Sequence, residues 1–328
     1  MSRMFSRRAL VALLCCITAV PASIAQVSTY PNRPIRFIVP YGVGGGTDQL
    51  GRLIAEKLRQ RLGQAVVVEN KPGAGTIVGS EFTAKQPGDG YTILLTTSAL
   101  SSAPAVIAKL PFDPVKDFTP IASVGVMLMS MLANNRLPAS NVKELISYMK
   151  ANPNKVNFGS YGVADSATIS MAVFNQRAGT TSTHIPYNGG AAQALPEMIG
   201  GELDLLLAPM APAAPLIKAG KIKVLAVASS KRSPLMPEVP TIAEAANLPG
   251  FSFEPWYGIF GPAGMPREVV ERLNREINAA VAEPEVQESL RKQYISPLTG
   301  APSLMRDIIV KDLAYWAEAA KTAGVKAE

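Results

Sequence analysis

The pattern that most constrains the fold of this chain is the regular alternation of short apolar runs with longer amphipathic ones. Three short runs rich in β-branched residues are predicted strands: residues 35–39, 65–69 and 92–96. After the first run, leucine and isoleucine recur at helical spacing from Leu50 to Leu62. This strand–helix–strand order predicts an α/β fold with mostly parallel sheets covered by helices.

The same alternation continues through the rest of the 328-residue chain. Further strand-like runs lie at residues 124–133, 203–207, 223–228 and 256–260, and helical spacing marks the C-terminal region. Pro and Gly are spread evenly, so no linker-like segment divides the chain. The length suits two α/β halves or one large domain.

Residues 1–25 have the organisation of a secretory signal peptide. Three arginines precede an apolar stretch at residues 9–20, and Ser23-Ile24-Ala25 offers small residues for cleavage. The apolar stretch is shorter than the roughly 20 residues that span a bilayer, which disfavours an uncleaved anchor. We therefore expect an exported, periplasmic protein; Ser6-Arg7-Arg8 leaves the twin-arginine route open beside the general one.

Cleavage after Ala25 would change the composition of the chain. Both cysteines, Cys15 and Cys16, would leave with the signal, and the formal net charge would fall from +7 to about +4. Without thiols and with one histidine, the mature chain offers no disulfide framework and no site of several imidazoles, so no metal and no cofactor are expected. No block of Lys and Arg interleaved with aromatics indicates nucleic acid as a partner.

Two junctions between a predicted strand and a predicted helix carry glycines and hydroxyls. The first is residues 41–48 (YGVGGGTD) and the second is residues 159–166 (GSYGVADS). Glycines let backbone N–H groups approach a ligand, and a helix N-terminus favours an anion. Ligands of open α/β sheets bind at the carboxyl ends of strands. One junction in each half could close on a small carboxylate, although glycines can also serve only to turn the chain.

Nucleotide binding and catalysis are weaker interpretations of the same residues. The first junction lacks the Lys of a phosphate-binding loop, and Thr47 stands where a dinucleotide fingerprint needs glycine. An exported hydrolase or isomerase acting on a small acid through Asp165, Asp48 and His184 is the alternative function. For His184 a structural, hydrogen-bonded role is favoured, and each aspartate can simply stabilise a helix start.

Motifs along most of the chain resemble those of one known family. They are residues 30–36 (YPNRPIR), 44–48 (GGGTD), 68–75 (VENKPGAG), 88–92 (GDGYT), 110–118 (LPFDPVKDF), 184–189 (HIPYNG) and 226–234 (AVASSKRSP). Together they resemble the Bug receptors, the substrate-binding receptors of tripartite tricarboxylate transporters. The resemblance covers residues 28–328.

The resemblance implies a two-lobed periplasmic-binding-protein fold of type II, a Venus flytrap with crossing hinge strands. Residues 27–127 and 253–328 would form domain 1, and residues 128–252 domain 2, with the ligand cleft between them. The strands near 124–133 and 256–260 would cross between the domains. The implied function is capture of a small carboxylate, without chemistry, by a protein expected to be monomeric and to deliver its ligand to membrane subunits of the transporter.

The family's ligand-binding positions map onto both junctions and the turn after the third strand, with an aromatic wall. The expected ligand-binding residues are Tyr41, Gly44, Gly45, Gly46, Thr47, Asp48, Thr97, Ser98, Ser160, Tyr161, Gly162, Asp165, Ser166 and Trp256. Asp165 departs from the family pattern, where a neutral residue is usual. Because like charges repel, Asp165 predicts a ligand that carries an amine or is less anionic than a tricarboxylate.

Overall fold

The computed structural model of the chain describes residues 30–161, 166–187, 190–322 and 324–325. The predicted signal peptide, Gly162 and Asp165 lie outside the described residues. Within the described ranges, no helix is both long and apolar enough to cross a membrane.

Strands and helices alternate through most of the chain, as the sequence predicts. The strands are β1 (Ile35–Val39), β2 (Val66–Asn70), β3 (Thr92–Thr97), β4 (Phe118–Met127), β5 (Met129–Asn134), β6 (Asn157–Ser160), β7 (Thr183–Pro186), β8 (Leu205–Pro209), β9 (Ile222–Val227), β10 (Trp256–Pro262) and β11 (Ile295–Pro297). The helices are α1 (Gly46–Leu62), α2 (Ile77–Ala84), α3 (Ala99–Val106), α4 (Val142–Ala151), α5 (Ser166–Ala178), α6 (Ala191–Gly200), α7 (Met210–Lys218), α8 (Ile242–Ala246), α9 (Arg267–Val281), α10 (Pro284–Lys292) and α11 (Pro302–Thr322).

The described strands form two sheets, one in each lobe. The first lobe has six strands in the order β11-β4-β10-β3-β1-β2, and the second has five in the order β7-β6-β8-β5-β9. Strands joined by helices pair in parallel, such as β1 with β2 and β6 with β7. However, β10 is antiparallel to both β3 and β4, and β5 to both β8 and β9. The sheets are therefore mixed rather than mostly parallel as predicted.

The chain passes between the two sheets at two neighbouring places. The predicted run at residues 124–133 is divided at Leu128, so β4 lies in the first sheet and β5 in the second. The second passage precedes β10: Phe253 N–H donates to Ala228 in the second lobe, and Pro255 accepts from Met127 in the first. The prediction that residues 256–260 cross was wrong, because all of β10 pairs inside the first sheet.

The C-terminal helix α11 contacts the cores of both lobes. Met305 and Ile309 pack in the first lobe with Trp256 and Phe260. About two turns beyond Ile309, Trp316 and the alanines near it join the main apolar cluster of the second lobe. The start of α11 therefore packs with the first lobe and its end with the second, and the predicted domain bounds stay a prediction.

Close packing of two helices on the first sheet sets where they begin. In α1, a Cβ added to Gly51 would lie 2.9 Å from Val39 and 3.3 Å from Leu95. In α2, a Cβ added to Gly79 would lie 2.7 Å from Pro40 and 2.9 Å from the carbonyl oxygen of Lys71. Glycine permits this approach. Both helices consequently begin beside the carboxyl ends of β1 and β3.

Candidate functional site

A cavity of about 740 Å³ lies between the two lobes, beside the points where the chain crosses. Its lining combines ends of strands, starts of helices and the crossing segments. The lining residues are Tyr41, Thr47, Ala74, Gly75, Thr76, Ile77, Thr97, Ser98, Ala99, Ser102, Ala103, Ile107, Met127, Met129, Tyr161, Ser166, Leu207, Pro209, Phe253, Pro255 and Tyr257. None of these described residues carries a charged side chain.

Four hydroxyl-bearing side chains of the first lobe lie close together and form two hydrogen-bonded pairs. Thr97 on β3 lies opposite Tyr257 on the antiparallel strand β10. Tyr41, which follows β1, has its hydroxyl 2.7 Å from Thr97 Oγ1. Thr47 at the start of α1 has its hydroxyl 3.3 Å from that of Tyr257. These four residues, the hydroxyl cluster, present donors that can rotate toward a ligand oxygen.

Burial keeps the phenol of Tyr257 in its neutral form. The side chain is almost fully buried, and this burial raises its pKa above the ordinary value for tyrosine. A neutral phenol retains its proton and can donate a hydrogen bond. The hydroxyl cluster therefore offers neutral donors to an anion without adding negative charge of its own.

Several helices of eight or more residues begin at the cavity. Among the described residues, the first turns or N-caps of α1, α2, α3, α5 and α7 contribute Thr47, Ile77, Ala99, Ser166 and Pro209 to the lining. The start of a helix carries about half a positive charge and N–H groups without partners inside the helix. These helix starts favour negative charge in a cavity whose described lining side chains are neutral.

The loop before α2 forms one wall of the cavity in a strained conformation. Four successive residues, from Gly73 to Thr76, have positive φ, including 88° at Thr76. Positive φ is unfavourable for a β-branched residue and persists where the surrounding structure enforces it. Thr76 is buried, and Gly75 and Thr76 both line the cavity. The predicted site did not include this segment, although part of it belongs to the motif at residues 68–75.

The side of the cavity formed by the second lobe is mostly apolar. Met129 on β5 lies opposite Pro209 on β8, and Leu207 is two residues before Pro209. Tyr161 and Ser166 supply the hydroxyls on this side among the described residues. Met129 and Leu207 were missing from the predicted site, because the pairing of β5 with β8 cannot be inferred from local patterns.

The glycine-rich loop of the first junction is arranged differently from the prediction. Gly44, Gly45 and Gly46 are exposed and do not line the cavity. Asp48 is buried, and its carboxylate accepts from Gly44 N–H at 2.8 Å, from Arg52 Nε at 3.0 Å and from Asn70 Nδ2 at 2.8 Å. None of these four residues lines the cavity, and Gly44 N–H binds the carboxylate of the loop's own helix, so their predicted contact with a ligand stays a prediction.

These contacts hold Asp48 in its ionised form and pair its charge inside the protein. The hydrogen bond from Arg52, followed by those from Gly44 N–H and Asn70, holds the pKa of Asp48 at about 2. A carboxylate held so firmly in its ionised form is poorly suited to exchange protons with a substrate near neutral pH. Asp48 therefore stabilises the start of α1, which was the alternative interpretation of this residue.

The second junction brings Ser160 and His184 together away from the cavity lining. Ser160 is fully buried, and its hydroxyl lies 2.7 Å from His184 Nε2. The imidazole stacks on Phe158, with ring centroids 5.4 Å apart, and burial lowers the pKa of His184. The predicted hydrogen-bonded role of His184 is confirmed, while Ser160 does not line the cavity.

The aromatic wall is placed one residue away from its predicted position. Successive side chains of a strand point to opposite faces, and here Tyr257 faces the cavity. Trp256 packs with Phe260 in the core on the other face, and its indole N–H donates to Asp312 at 2.6 Å. Trp256 therefore does not line the cavity, and its predicted contact with a ligand stays a prediction. The strand register that pairs Tyr257 with Thr97 shows which of the two aromatic side chains faces the cavity. The sequence alone does not give this register.

The structure thus gathers part of the predicted set and adds to it. The predicted residues that line the cavity are Tyr41, Thr47, Thr97, Ser98, Tyr161 and Ser166. The residues that the prediction missed come mainly from the loop before α2, the length of α3 and the crossing segments. Gly162 and Asp165 lie outside the described residues, so their predicted roles stay predictions.

A comparison with known protein families places this architecture. Residues 50–324 match the sequence model of a family described as "Tripartite tricarboxylate transporter family receptor". The chain belongs to this family of receptors. Its members and structural neighbours are substrate-binding receptors rather than enzymes, which overturns the alternative of an exported hydrolase or isomerase.

Individual relatives are similar to this receptor over nearly its whole length. Protein BugT of Bordetella pertussis is 33% identical over 311 residues, covering 94% of this chain and 95% of BugT. The solved periplasmic binding protein BugD is 34% identical with a TM-score of 0.79, covering 91% of this chain and all of BugD. R. palustris Rpa4515, solved with adipate, is 32% identical with a TM-score of 0.81, covering 91% and 100%. The two-lobed periplasmic-binding-protein fold of the receptor is thereby established.

Proposed function

We propose that this receptor captures a small carboxylate in the cavity between its lobes and delivers it, chemically unchanged, to membrane subunits of a tripartite transporter. It would act in the periplasm as a monomer after removal of residues 1–25. Support for the ligand class comes from the family, and from adipate in the structure of Rpa4515, a relative with the same fold.

The cavity lining carries the proposal. It combines the hydroxyl cluster and several helix starts with an absence of charged side chains among the described lining residues. A carboxylate is acceptor-only, so its oxygens match the rotatable O–H groups, and the positive ends of the helices favour its charge. Hydrogen bonds that involve a charged partner are the stronger kind. The cavity therefore suits an anion that keeps its charge after leaving water.

Binding would be coupled to closure of the two lobes about the crossing segments. We take residues 27–127 with 253–328, and residues 128–252, as the two moving units, with Leu128 and residues 253–255 as hinges. The end of α11 is the exception, because Trp316 packs with the second lobe. Ligand contacts from both lobes would favour the closed state, which is the form that a transporter can distinguish from the empty one.

A thermal-shift screen tests the proposal directly. The mature chain without residues 1–25 is heated with mono-, di- and tricarboxylates, amino acids and aromatic acids, and each mixture is analysed for new products. We expect a subset of carboxylates to raise the melting temperature, because a ligand that binds only the folded state stabilises it by mass action. Each stabilising acid should be recovered unchanged.

Two results would contradict the proposal in different ways. Conversion of any acid at a rate that follows the protein concentration would show catalysis instead of capture. A flat response to every carboxylate at millimolar concentration, with the protein folded, would remove the ligand class. Thr97→Val serves as a binding-site variant in the same screen and should reduce every shift, because Thr97 lies at the centre of the hydroxyl cluster.

A further inference from the structure

The two ends of the cavity differ in chemistry, and α3 runs between them. Ser98, the N-cap of α3, lies at the hydroxyl cluster, whereas Ala103 and Ile107 line the cavity farther along. Nine residues at about 1.5 Å per residue separate Ser98 from Ile107 by roughly 13 Å. That distance is several times the length of a carboxylate group. A ligand that fills the cavity therefore meets two different environments.

The far end of the cavity is an opening in the core of the second lobe. Met129, Leu207 and Phe253 line the cavity and are members of that lobe's main apolar cluster. Ile107 packs against the same cluster. Because these side chains are neutral and apolar, they offer no hydrogen-bond donor and no cation. A carboxylate placed against these four side chains would lose its water without gaining a partner from them; Tyr161 and Ser166 are the hydroxyls that the described part of the second lobe adds elsewhere in the lining.

We infer that the receptor is selective for a monocarboxylate with an apolar body of about five carbons or more, aliphatic or aromatic. The inference rests on the proposed function, since it assumes that the carboxylate is held at the hydroxyl cluster. The apolar body would extend along α3 and end between Ile107, Met129 and Phe253. A second carboxylate at the far end of the ligand is selected against.

Two free-energy contributions set the size of this selectivity: burial of methylene groups favours binding, and burial of an unpaired carboxylate opposes it. Each methylene buried against the apolar end contributes about 0.8 kcal/mol, or about fourfold in affinity. Burying an unpaired carboxylate costs far more than burying a methyl group, even where relaxation and water reduce the penalty. Between two ligands of equal length, we therefore expect the one with the methyl terminus to bind at least tenfold more tightly.

Hexanoate and adipate make this matched pair. They have the same six-carbon length, and adipate carries a carboxylate where hexanoate carries a methyl group. Isothermal titration of the mature receptor with each acid at pH 7.5 measures the two affinities directly. We expect hexanoate to bind at least tenfold more tightly than adipate. Along butyrate, hexanoate and octanoate, affinity should rise until the apolar end is filled.

Two variants locate the selectivity in the cavity. Met129→Gln keeps the side-chain length but adds an amide, and it should reduce the ratio of hexanoate to adipate affinity at least fivefold. Met236→Gln is the matched control, because Met236 is half-buried in a different cluster and does not line the cavity. Ile107→Thr, at a half-buried position, provides a second variant that keeps the branched Cβ.

The outcomes separate this inference from the function on which it rests. Tighter binding of adipate, or a ratio that neither Met129→Gln nor Ile107→Thr changes, would overturn the selectivity and leave carboxylate capture intact. If no carboxylate binds at all, the proposed function fails, and the inference fails with it. A ratio above ten that falls in both cavity variants and not in Met236→Gln supports the inference.

Discussion

Two aspartates lie behind helices that begin at the cavity, and the protein holds them in opposite ways. Asp48, in the first turn of α1, is buried against Arg52, Gly44 N–H and Asn70. Asp312 of α11 is half-buried and accepts from the indole N–H of Trp256 and from Ser101 Oγ of α3. Arg52 lowers the pKa of Asp48 to about 2, whereas burial raises the pKa of Asp312.

This difference shows how the protein accommodates negative charges near the proposed ligand cavity. The charge of Asp48 is balanced by a cation, so it does not cancel the positive end of α1. Asp312 receives only neutral donors in its hydrogen bonds, and burial disfavours its charge. Asp48 is paired with a cation, and burial makes the ionised form of Asp312 less favourable. A third aspartate, Asp165, is predicted to face the ligand, and it would break this rule.

The largest expected effect comes from removing the charge of Asp48. Asp48→Asn should lower the free energy of unfolding by about 2 kcal/mol at pH 7, because Arg52 and Asn70 lose a charged acceptor. A folded pKa below the unfolded value gives stability that is present above about pH 4 and lost as the pH falls toward 2. Urea unfolding at several pH values measures both effects.

A matched control lies on the same helix. Glu56 is also a carboxylate of α1, but it is exposed and pairs with Arg59 on the surface. Glu56→Gln should leave the free energy of unfolding near the value of the wild type. Equal losses in Asp48→Asn and Glu56→Gln would show that the burial of Asp48 has no special role.

A change in ligand ranking is expected at Asp165. On the prediction that this side chain faces the ligand, Asp165→Asn should improve the affinity for plain carboxylates about fivefold and weaken that for amino-bearing acids. Titration with glutamate and glutarate, which differ by the amino group, measures the ranking. An unchanged ranking would show that Asp165 behaves like Asp48 and does not face the ligand.

Asp312 should give the smallest effect, with the opposite dependence on pH. Its folded pKa is above the unfolded value, so its contribution is fully present below about pH 4 and decreases as the pH rises through the folded pKa. Asp312→Asn stays neutral, so its stability relative to the wild type should increase over that rise, by less than about 1 kcal/mol. Thermal unfolding from pH 4 to pH 8 measures the difference, and a decrease would contradict the assignment.

Sequence patterns predict which segments of this protein form strands and helices better than they predict how the strands pair. Helical spacing from Leu50 to Leu62 and the short apolar runs identify α1 and the central strands, because burial imposes those periods directly. Local patterns cannot show which strands pair in antiparallel fashion at the crossing. The mixed sheets, and the placement of β10 wholly in the first sheet, were therefore missed.

The candidate site could be predicted where hydroxyls follow strands, and not where tertiary contacts choose between neighbours. Thr97 and Tyr41 lie at strand ends, and both line the cavity. Trp256 and Tyr257 look equivalent in the sequence, and only the register with β3 assigns Tyr257 to the cavity. The glycine-rich loop was predicted to bind a ligand, but the N–H group of Gly44 in this loop donates to the Asp48 carboxylate. The spacing of residues in the sequence does not reveal this contact.

Titration of two adjacent threonine variants tests the central claim most directly. Thr97 Oγ1 belongs to the hydroxyl cluster, whereas Thr96 Oγ1 is buried without a hydrogen-bond partner among the described residues. With the tightest carboxylate of the screen, Thr97→Val should bind at least tenfold more weakly, since a hydrogen bond to a charged group contributes about 1.5–3 kcal/mol. Thr96→Val should bind as the wild type does. Wild-type affinity in Thr97→Val would contradict the account.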